Sequence, residues 1–246
     1  MSITCQIKRI SISTLEIIQQ DPLILSSFLD ARWLPESVFW QQRKWKHESD
    51  EKTKQAARVR FSKSLQDRNR WKKNYNLQAL EQQLLFEWQT PDLDLHKYFP
   101  ELTYLLAGYI PSYFSPEWIT PELISVAREN PGDFLPFLVV ENSEWDGLPL
   151  INTLGAGTEI GAAMGYGKAR YLLPEEVGDI LDGLLFLSEE GFQERYKRES
   201  DRSNPLPWID WGEEEMLDWL TDYFNEIQDY YEDTFRNKEA MLLYLT

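Results

Sequence analysis

Residues 154–177 read LGAGTEIGAAMGYGKARYLLPEEV, and this stretch decides more about the fold than any other. It holds five of the twelve glycines of the chain, and an apolar run at residues 169–173 follows them directly. Glycine is costly to order, so it occurs where the backbone needs a positive φ or the close approach of another group. Pro174 then suits the first position of a helix. The stretch therefore predicts a shaped loop that leads into a strand and then into a helix.

The glycine-rich loop, residues 155–171, is also a candidate ligand site. Backbone N–H groups ahead of a helix can cradle an anion, and an arginine can bind one with two parallel hydrogen bonds. The glycine spacing GxGxxxG differs from the dinucleotide fingerprint GxGxxG, and the chain lacks a Walker motif. A structural turn, with Arg170 paired to a carboxylate, is therefore favoured over a ligand cradle. On the ligand alternative, the binding residues would be Gly155, Gly157, Glu159, Gly165, Tyr166, Gly167 and Arg170.

The C-terminal part of the chain predicts a long helix and a closing strand. Over residues 213–235 the apolar side chains recur with the 3.6-residue period of a helix. Its first turn holds three glutamates, which suit the positive end of the helix dipole. Residues 241–245 are consecutive apolar residues. Because an exposed run of this kind is prone to aggregate, we expect a strand inside the fold.

The N-terminus predicts a strand followed by a helix. Ile3, Cys5 and Ile7 alternate with other residues, as in a half-buried strand. Ser13 and Glu16 have the spacing of a capping box, which predicts that a helix begins there.

Between these ends, further helices are predicted over residues 77–88 and 95–107, and a strand over 137–140. Asp94 is expected to cap the second of these helices, because a carboxylate accepts hydrogen bonds from free backbone N–H groups. Gly108 stands where a glycine commonly ends a helix.

Composition limits the class of protein. The net charge is −16, and 42% of the residues are hydrophobic, as in a folded protein. We find no apolar run long enough for a membrane span and no signal-peptide pattern. A single cysteine, Cys5, fits a reducing compartment, so a cytoplasmic location is predicted.

The charge is unevenly distributed. Residues 43–73 hold twelve Lys and Arg against four Asp and Glu, interleaved with aromatic residues, whereas the rest of the chain holds 13 basic and 37 acidic residues. The basic segment is the only hint of nucleic-acid binding, and a solvated helix face is the favoured interpretation. The acidic helix over residues 213–235 could present carboxylates to a basic partner, as acidic inhibitors do.

Three blocks resemble the YfbM-like family, a bacterial domain of unknown function. They are LDLHKYFPELTYLLAG at residues 93–108, residues 149–177, and the tail that begins with NPLPW at 204–208. The resemblance implies a single α+β domain over residues 1–246. Family members are usually shorter, so it also implies insertions at residues 33–76 and 109–145. It implies no activity, since none is known for the family.

The chain offers no trustworthy catalytic or metal-ligating set. His47 and His96 are far apart, and neither has a second histidine three or four residues away. We therefore predict neither a cofactor nor a metal site.

The predicted fold is α+β, with a mixed sheet, packed helices, and a long C-terminal amphipathic helix before a terminal strand. The leading hypothesis is a non-enzymatic interaction protein, of the inhibitor or immunity type, for a basic partner. The alternative is a small-molecule or nucleotide-binding domain, or an enzyme, with its site at residues 155–171.

Overall fold

A computed structural model describes residues 4–42, 49–71, 75–111, 118–129, 138–140, 147–164, 166–200 and 214–246. The chain divides into two compact units. The first unit comprises Met1–Ile7, Leu93–Glu159 and Ala163–Thr246, and the second comprises Lys8–Asp92 and Ile160–Ala162. A single domain with insertions at residues 33–76 and 109–145 stays a prediction.

The helices and strands follow one another along the chain without an internal repeat. Up to residue 107 they are β1 Cys5–Ile10, α1 Ile12–Gln20, α2 Ile24–Ala31, α3 Phe39–Gln42, α4 Ser49–Trp71, α5 Leu77–Glu87, β2 Leu93–Asp94 and α6 Phe99–Ala107. After it they are β3 Tyr109–Pro111, α7 Pro121–Glu129, β4 Leu138–Val140, a 3-10 turn Leu150–Asn152, β5 Thr158–Met164, β6 Gly167–Leu172, α8 Pro174–Phe186, α9 Glu189–Ser200, α10 Glu214–Arg236 and β7 Ala240–Leu245.

The main sheet has five strands in the order β2-β1-β7-β6-β5, and β3 pairs with β4 in a second, two-stranded sheet. The fold class is α+β, as predicted. The sheet is antiparallel rather than mixed: Ile7 lies opposite Leu93 between β1 and β2, and Arg170 opposite Leu243 between β6 and β7. The predicted terminal strand is confirmed as β7, which is bonded on both sides.

The core of the first unit forms where α6, α8, α9 and α10 contribute apolar faces. The predicted period of α10 is confirmed, since Leu220, Phe224, Ile227 and Tyr231 are all fully buried. The ring of Phe224 stacks on that of Phe192, with centroids 4.5 Å apart.

The second unit is built mainly from α1, α2, α4 and α5. In α4, which covers much of the basic segment, the side chain of Phe61 is only 1% exposed, and Ala57 and Leu65 are also buried. The expectation of a largely solvated segment is therefore only partly met, because one face of α4 packs against α2 and α5.

Two predicted helix starts are wrong. The cap of α1 is Ser11, whose hydroxyl accepts from the N–H of Thr14, rather than Ser13. The hydroxyl of Ser11 also donates to the carboxylate of Glu87 on α5, and this long-range hydrogen bond favours Ser11 over Ser13 as the cap. Asp94 lies in β2 and does not cap α6, which begins four residues after Leu95. Gly108 ends α6 as predicted.

The first strand is also more buried than its alternation predicts. Cys5, Gln6, Ile7 and Lys8 are all buried, because both sides of β1 carry neighbouring strands and both faces are covered. Ile3 lies outside the described residues.

Candidate functional site

The glycine-rich stretch is largely a β-hairpin rather than a loop. Strand β5 occupies Thr158–Met164, which the sequence analysis assigned to the loop, and β6 follows after a short turn. At Gly157, φ is +124°, and an added Cβ would lie 2.6 Å from the backbone oxygen of Tyr171. A side chain at this position would therefore force two backbone segments apart. Gly157 is required by the close approach of the backbone.

Arg170, on β6, is the most unusual charged residue of this hairpin. Its side chain and backbone together are only 9% exposed. Its Nη1 donates to the backbone oxygen of Gly155. Its Nε is buried and has no hydrogen-bond partner. Burial lowers the pKa of Arg170, and Glu159 acts on it only as a more distant opposing charge.

The predicted pairing of Arg170 with a carboxylate is not present among the described residues. The carboxylate of Glu159, on the neighbouring strand β5, binds Lys168 instead, with Oε2 and Nζ 2.8 Å apart. Because both residues of this pair are partly exposed, they meet at the surface while Arg170 stays inside. Within the described part of the chain, the hydrogen bond that holds the arginine goes to the backbone carbonyl of Gly155.

A small cavity of about 30 Å³ lies beside Arg170. It is lined by Cys5, Phe99, Leu154, Gly155, Tyr166, Lys168, Arg170, Leu243, Tyr244 and Leu245. Pockets that hold nucleotides or drug-sized molecules are roughly 300–1,000 Å³. Burial also raises the pKa of the Cys5 thiol to about 12, so this thiol stays protonated and unreactive near neutral pH.

The structure brings three of the seven predicted site residues, Gly155, Tyr166 and Arg170, to this cavity. Gly157 shapes the backbone, and Glu159 is used by Lys168.

Of the two remaining glycines, Gly167 begins β6 with φ at +115°. Gly165 lies outside the described residues. Lys168 stands two residues before Arg170 on β6, and the period of a strand puts the two on one face. Cys5 was not predicted as a neighbour of Arg170, because it lies on β1 and only the order of the strands brings it near.

A second candidate site lies where α10 meets the turn between β2 and α6. The aromatic rings of Tyr98, Trp219 and Tyr223 form a cluster. The centroid of the Tyr98 ring lies 6.4 Å from that of Trp219 and 5.8 Å from that of Tyr223. The ring of His96 lies 6.3 Å from Tyr223. Trp219 is 47% exposed, which is unusual for so large a side chain.

Carboxylates surround this cluster. Burial raises the pKa of Tyr223 to about 12, and the charges of Glu226 and Asp94 act in the same direction. The pKa of Glu226 is itself raised, first by burial and then by the neighbouring Asp222, while His96 opposes this shift. These directions show that negative charge gathers around the rings. We call Asp94, Tyr98, Trp219, Asp222, Tyr223 and Glu226 the acidic–aromatic surface.

The turn that carries Tyr98 to this surface is fixed by Asp94. The carboxylate of Asp94 accepts from the backbone N–H of His96 at 2.9 Å. His96 has φ at +50°, a conformation uncommon outside glycine. The acidic, aromatic helix could be predicted from the sequence, but the meeting of this turn with it could not. Tyr98 in the turn and Trp219 in the helix are 121 residues apart in the chain.

A family described as a domain of unknown function, DUF1877, matches residues 1–244. The chain belongs to DUF1877. It matches no curated protein and no solved structure.

The basic segment of this DUF1877 protein is partly neutralised within its own unit. Arg60 on α4 pairs with Asp30 at 2.8 Å, and Arg58 pairs with Glu36. These pairs neutralise part of the basic charge of α4, and nucleic-acid binding by residues 43–73 stays a prediction. His47 lies outside the described residues.

None of the described helices is both long and apolar enough to cross a bilayer. Within the same described residues, no group of three or more His, Cys, Asp and Glu side chains is arranged to hold a metal ion.

Proposed function

We propose that this protein works by binding a basic protein partner through its acidic–aromatic surface. An inhibitor or immunity-type antagonist of a basic protein is the form of interaction that we favour. The observation that carries the proposal is the cluster of Tyr98, Trp219 and Tyr223 beside the carboxylates of Asp222 and Glu226. The Lys97 ammonium of the chain itself lies 5.4 Å from the ring centroid of Tyr98, so one of these rings already meets a cation.

The aromatic rings of this surface are suited to bind a cationic side chain. A lysine or arginine side chain is attracted to the face of a tryptophan or tyrosine ring, and the attraction grows when water is excluded. Tryptophan and tyrosine are also enriched among the residues that contribute most to binding at protein interfaces. An exposed Trp219 beside two half-buried tyrosines is therefore suited to receive a cationic side chain.

The carboxylates of α10 favour a basic partner as well. Helix α10 holds eight acidic residues and one basic residue, Arg236, which pairs with Glu232 and Asp233 at the helix end. Among the described residues, Asp222 and Glu226 have no ion pair. Like charges four residues apart destabilise a helix. A surface that lowers stability in this way is expected where binding requires it.

The proposal is tested with a nona-arginine peptide as the probe, by isothermal titration at several salt concentrations. The variant Asp218→Asn/Asp222→Asn/Glu226→Gln removes three negative charges from α10. We expect it to weaken peptide binding at least about tenfold, because the cation loses the opposite charges beside the rings. Trp219→Ala is expected to weaken binding without changing the net charge.

The matched control removes the same number of charges elsewhere in the first unit. Glu175, Asp179 and Asp182 are exposed residues of α8, so Glu175→Gln/Asp179→Asn/Asp182→Asn changes the net charge equally. If this variant loses as much affinity as the α10 variant, or if Trp219→Ala binds like the wild type, the peptide responds to net charge alone and the proposal is wrong.

We further propose that this DUF1877 member is YfbM-like and cytoplasmic. The first statement is supported by residues 93–108, 149–177 and the tail that begins at 204, and the second by a single cysteine that is buried. Labelling of a tagged protein in fractionated cells tests the location.

A further inference from the structure

The guanidinium group of Arg170, beside the cavity, contacts no carboxylate of the described residues, and Glu159 acts on it only from a distance. Arg170 is 9% exposed, its Nε is buried without a partner, and its one hydrogen bond goes to the neutral carbonyl of Gly155. An uncompensated buried charge is strongly unfavourable. A buried ion is stable in a protein when an opposite charge accompanies it.

The cavity limits what that opposite charge can be. Its volume of about 30 Å³ is roughly the space that one or two water molecules need. A nucleotide or a phosphorylated metabolite is far larger. Lys168 also lines the cavity, but its ammonium group is paired with Glu159, and the thiol of Cys5 donates to the backbone oxygen of Leu154. The remaining residues are mostly apolar or backbone, so the charge that an occupant meets is that of Arg170, which favours an anion over a cation.

We propose that this cavity binds a small monovalent anion, of the size of chloride or formate, against the guanidinium group of Arg170. The anion accepts the hydrogen bond that Nε of Arg170 otherwise lacks, and it neutralises the buried charge. A water molecule could accept the same hydrogen bond but would leave the charge in place. The site is independent of the acidic–aromatic surface and does not rest on the proposed function.

Binding of the anion would stabilise the hairpin of β5 and β6. Any species that binds the folded state alone raises the free energy of unfolding with its concentration. Arg170 faces Leu243 on the internal strand β7, so the site joins the hairpin to the centre of the sheet. We therefore expect the free energy of unfolding of the whole protein to increase with the chloride concentration.

The experiment follows the melting temperature of the full chain while sodium chloride replaces sodium gluconate at constant ionic strength. For the wild type we expect the melting temperature to rise with the logarithm of the chloride concentration, by about 2–4 °C when chloride reaches roughly five times its dissociation constant. Formate should act alike, whereas sulfate, which is larger and stabilises proteins by exclusion from their surface, should shift the wild type and the Arg170→Met variant equally. Arg170→Met should show no rise with chloride.

Arg195→Met is the matched control. Arg195 is also partly buried, but its Nη1 donates to the backbone oxygens of Leu105 and Leu106 at the end of α6. We expect this variant to be less stable in both salts and to keep the full chloride response. Loss of the response in both variants would overturn the proposal, because a general loss of stability would then explain it.

A second measurement does not depend on any variant. The linewidth of ³⁵Cl in nuclear magnetic resonance should broaden in the presence of the wild-type protein, and formate should reverse the broadening. Because the protein carries a charge of −16, general attraction of chloride to its surface is weak. A wild type without chloride broadening and without a melting shift shows that water fills the cavity and that the proposal is wrong.

Discussion

Arg32 and Arg170 are almost equally buried, at 8% and 9% exposure, but only Arg32 is paired with a carboxylate of the described residues. Arg32 lies in the second unit, and its Nη2 is 2.9 Å from the carboxylate of Asp92. Its guanidinium carbon also lies 5.0 Å from the ring centroid of Phe39 and 5.9 Å from that of Trp88. Arg170 lies in the first unit and meets only a backbone carbonyl.

The difference separates two uses of a buried arginine. Arg32 is neutralised by its own unit, so removal of its side chain leaves Asp92 unpaired and destabilises the protein. Arg170 is left charged, so its removal takes away an unfavourable group. Burial alone does not distinguish the two residues, whereas the presence or absence of a carboxylate does.

The largest expected effect is that of Arg32→Met, which should lower the free energy of unfolding by about 3–5 kcal/mol. The carboxylate of Asp92, only 6% exposed, would remain buried without its partner. Urea denaturation measures the change. In the double variant Arg32→Met/Asp92→Asn the buried charge is gone, so part of the stability should return. If the double variant is no more stable than the single one, the charge pair is not what distinguishes Arg32 from Arg170.

The next effect concerns the turn that delivers the carbonyl of Gly155 to Arg170. Gly157→Ala should cost about 1–3 kcal/mol, because the positive φ and the contact with Tyr171 both exclude a side chain. It should also weaken the chloride response, since the turn beside the cavity must shift. A thermal melt in gluconate and in chloride reports both quantities, and unchanged stability would show that the hairpin tolerates a different turn.

Arg170→Met should have a smaller effect, less than about 1 kcal/mol in gluconate, and it should even be stabilising, since a buried unpaired charge is replaced by an apolar group. The two arginines would then differ in sign as well as in size. Thermal unfolding of both methionine variants in one buffer makes the comparison. A loss comparable with that of Arg32→Met would mean that Arg170 is a structural residue after all.

The smallest expected effect is that of Glu226→Gln, which removes a negative charge without an ion pair among the described residues. Glu226→Gln should stabilise the protein at pH 7 by about 0.2–0.5 kcal/mol, because it relieves repulsion with Asp222 one helical turn away. The pKa of Glu226 is raised in the folded state, so the protonated side chain contributes favourably to the free energy of unfolding. This contribution is fully present at pH values below the ordinary pKa of 4.5, and it is lost as the pH rises through the folded-state pKa.

The advantage of Glu226→Gln should therefore shrink as the pH falls from 7 towards that ordinary value of 4.5. Unfolding at several pH values measures this trend. An advantage that is constant with pH would show that the carboxylate of Glu226 is not crowded.

Much of the fold could be predicted because its signals are local. The period of apolar residues gave α10, Pro174 marked the start of α8, and Gly108 marked the end of α6. The candidate sites were predicted less well. Strand β5 was assigned to a loop, because Gly161 within it and the glycines on either side of it mask the alternation of a strand.

The sequence by itself determined the α+β class, the long acidic helix and the closing strand, since each follows from side-chain periodicity and apolar content within one segment. Only the tertiary structure decided which groups neutralise one another. Glu87 selects Ser11 as a helix cap, Asp92 takes Arg32, and Arg170 receives no carboxylate. The physical reason is that electrostatic pairing depends on distances between residues far apart in the chain, which local patterns do not contain.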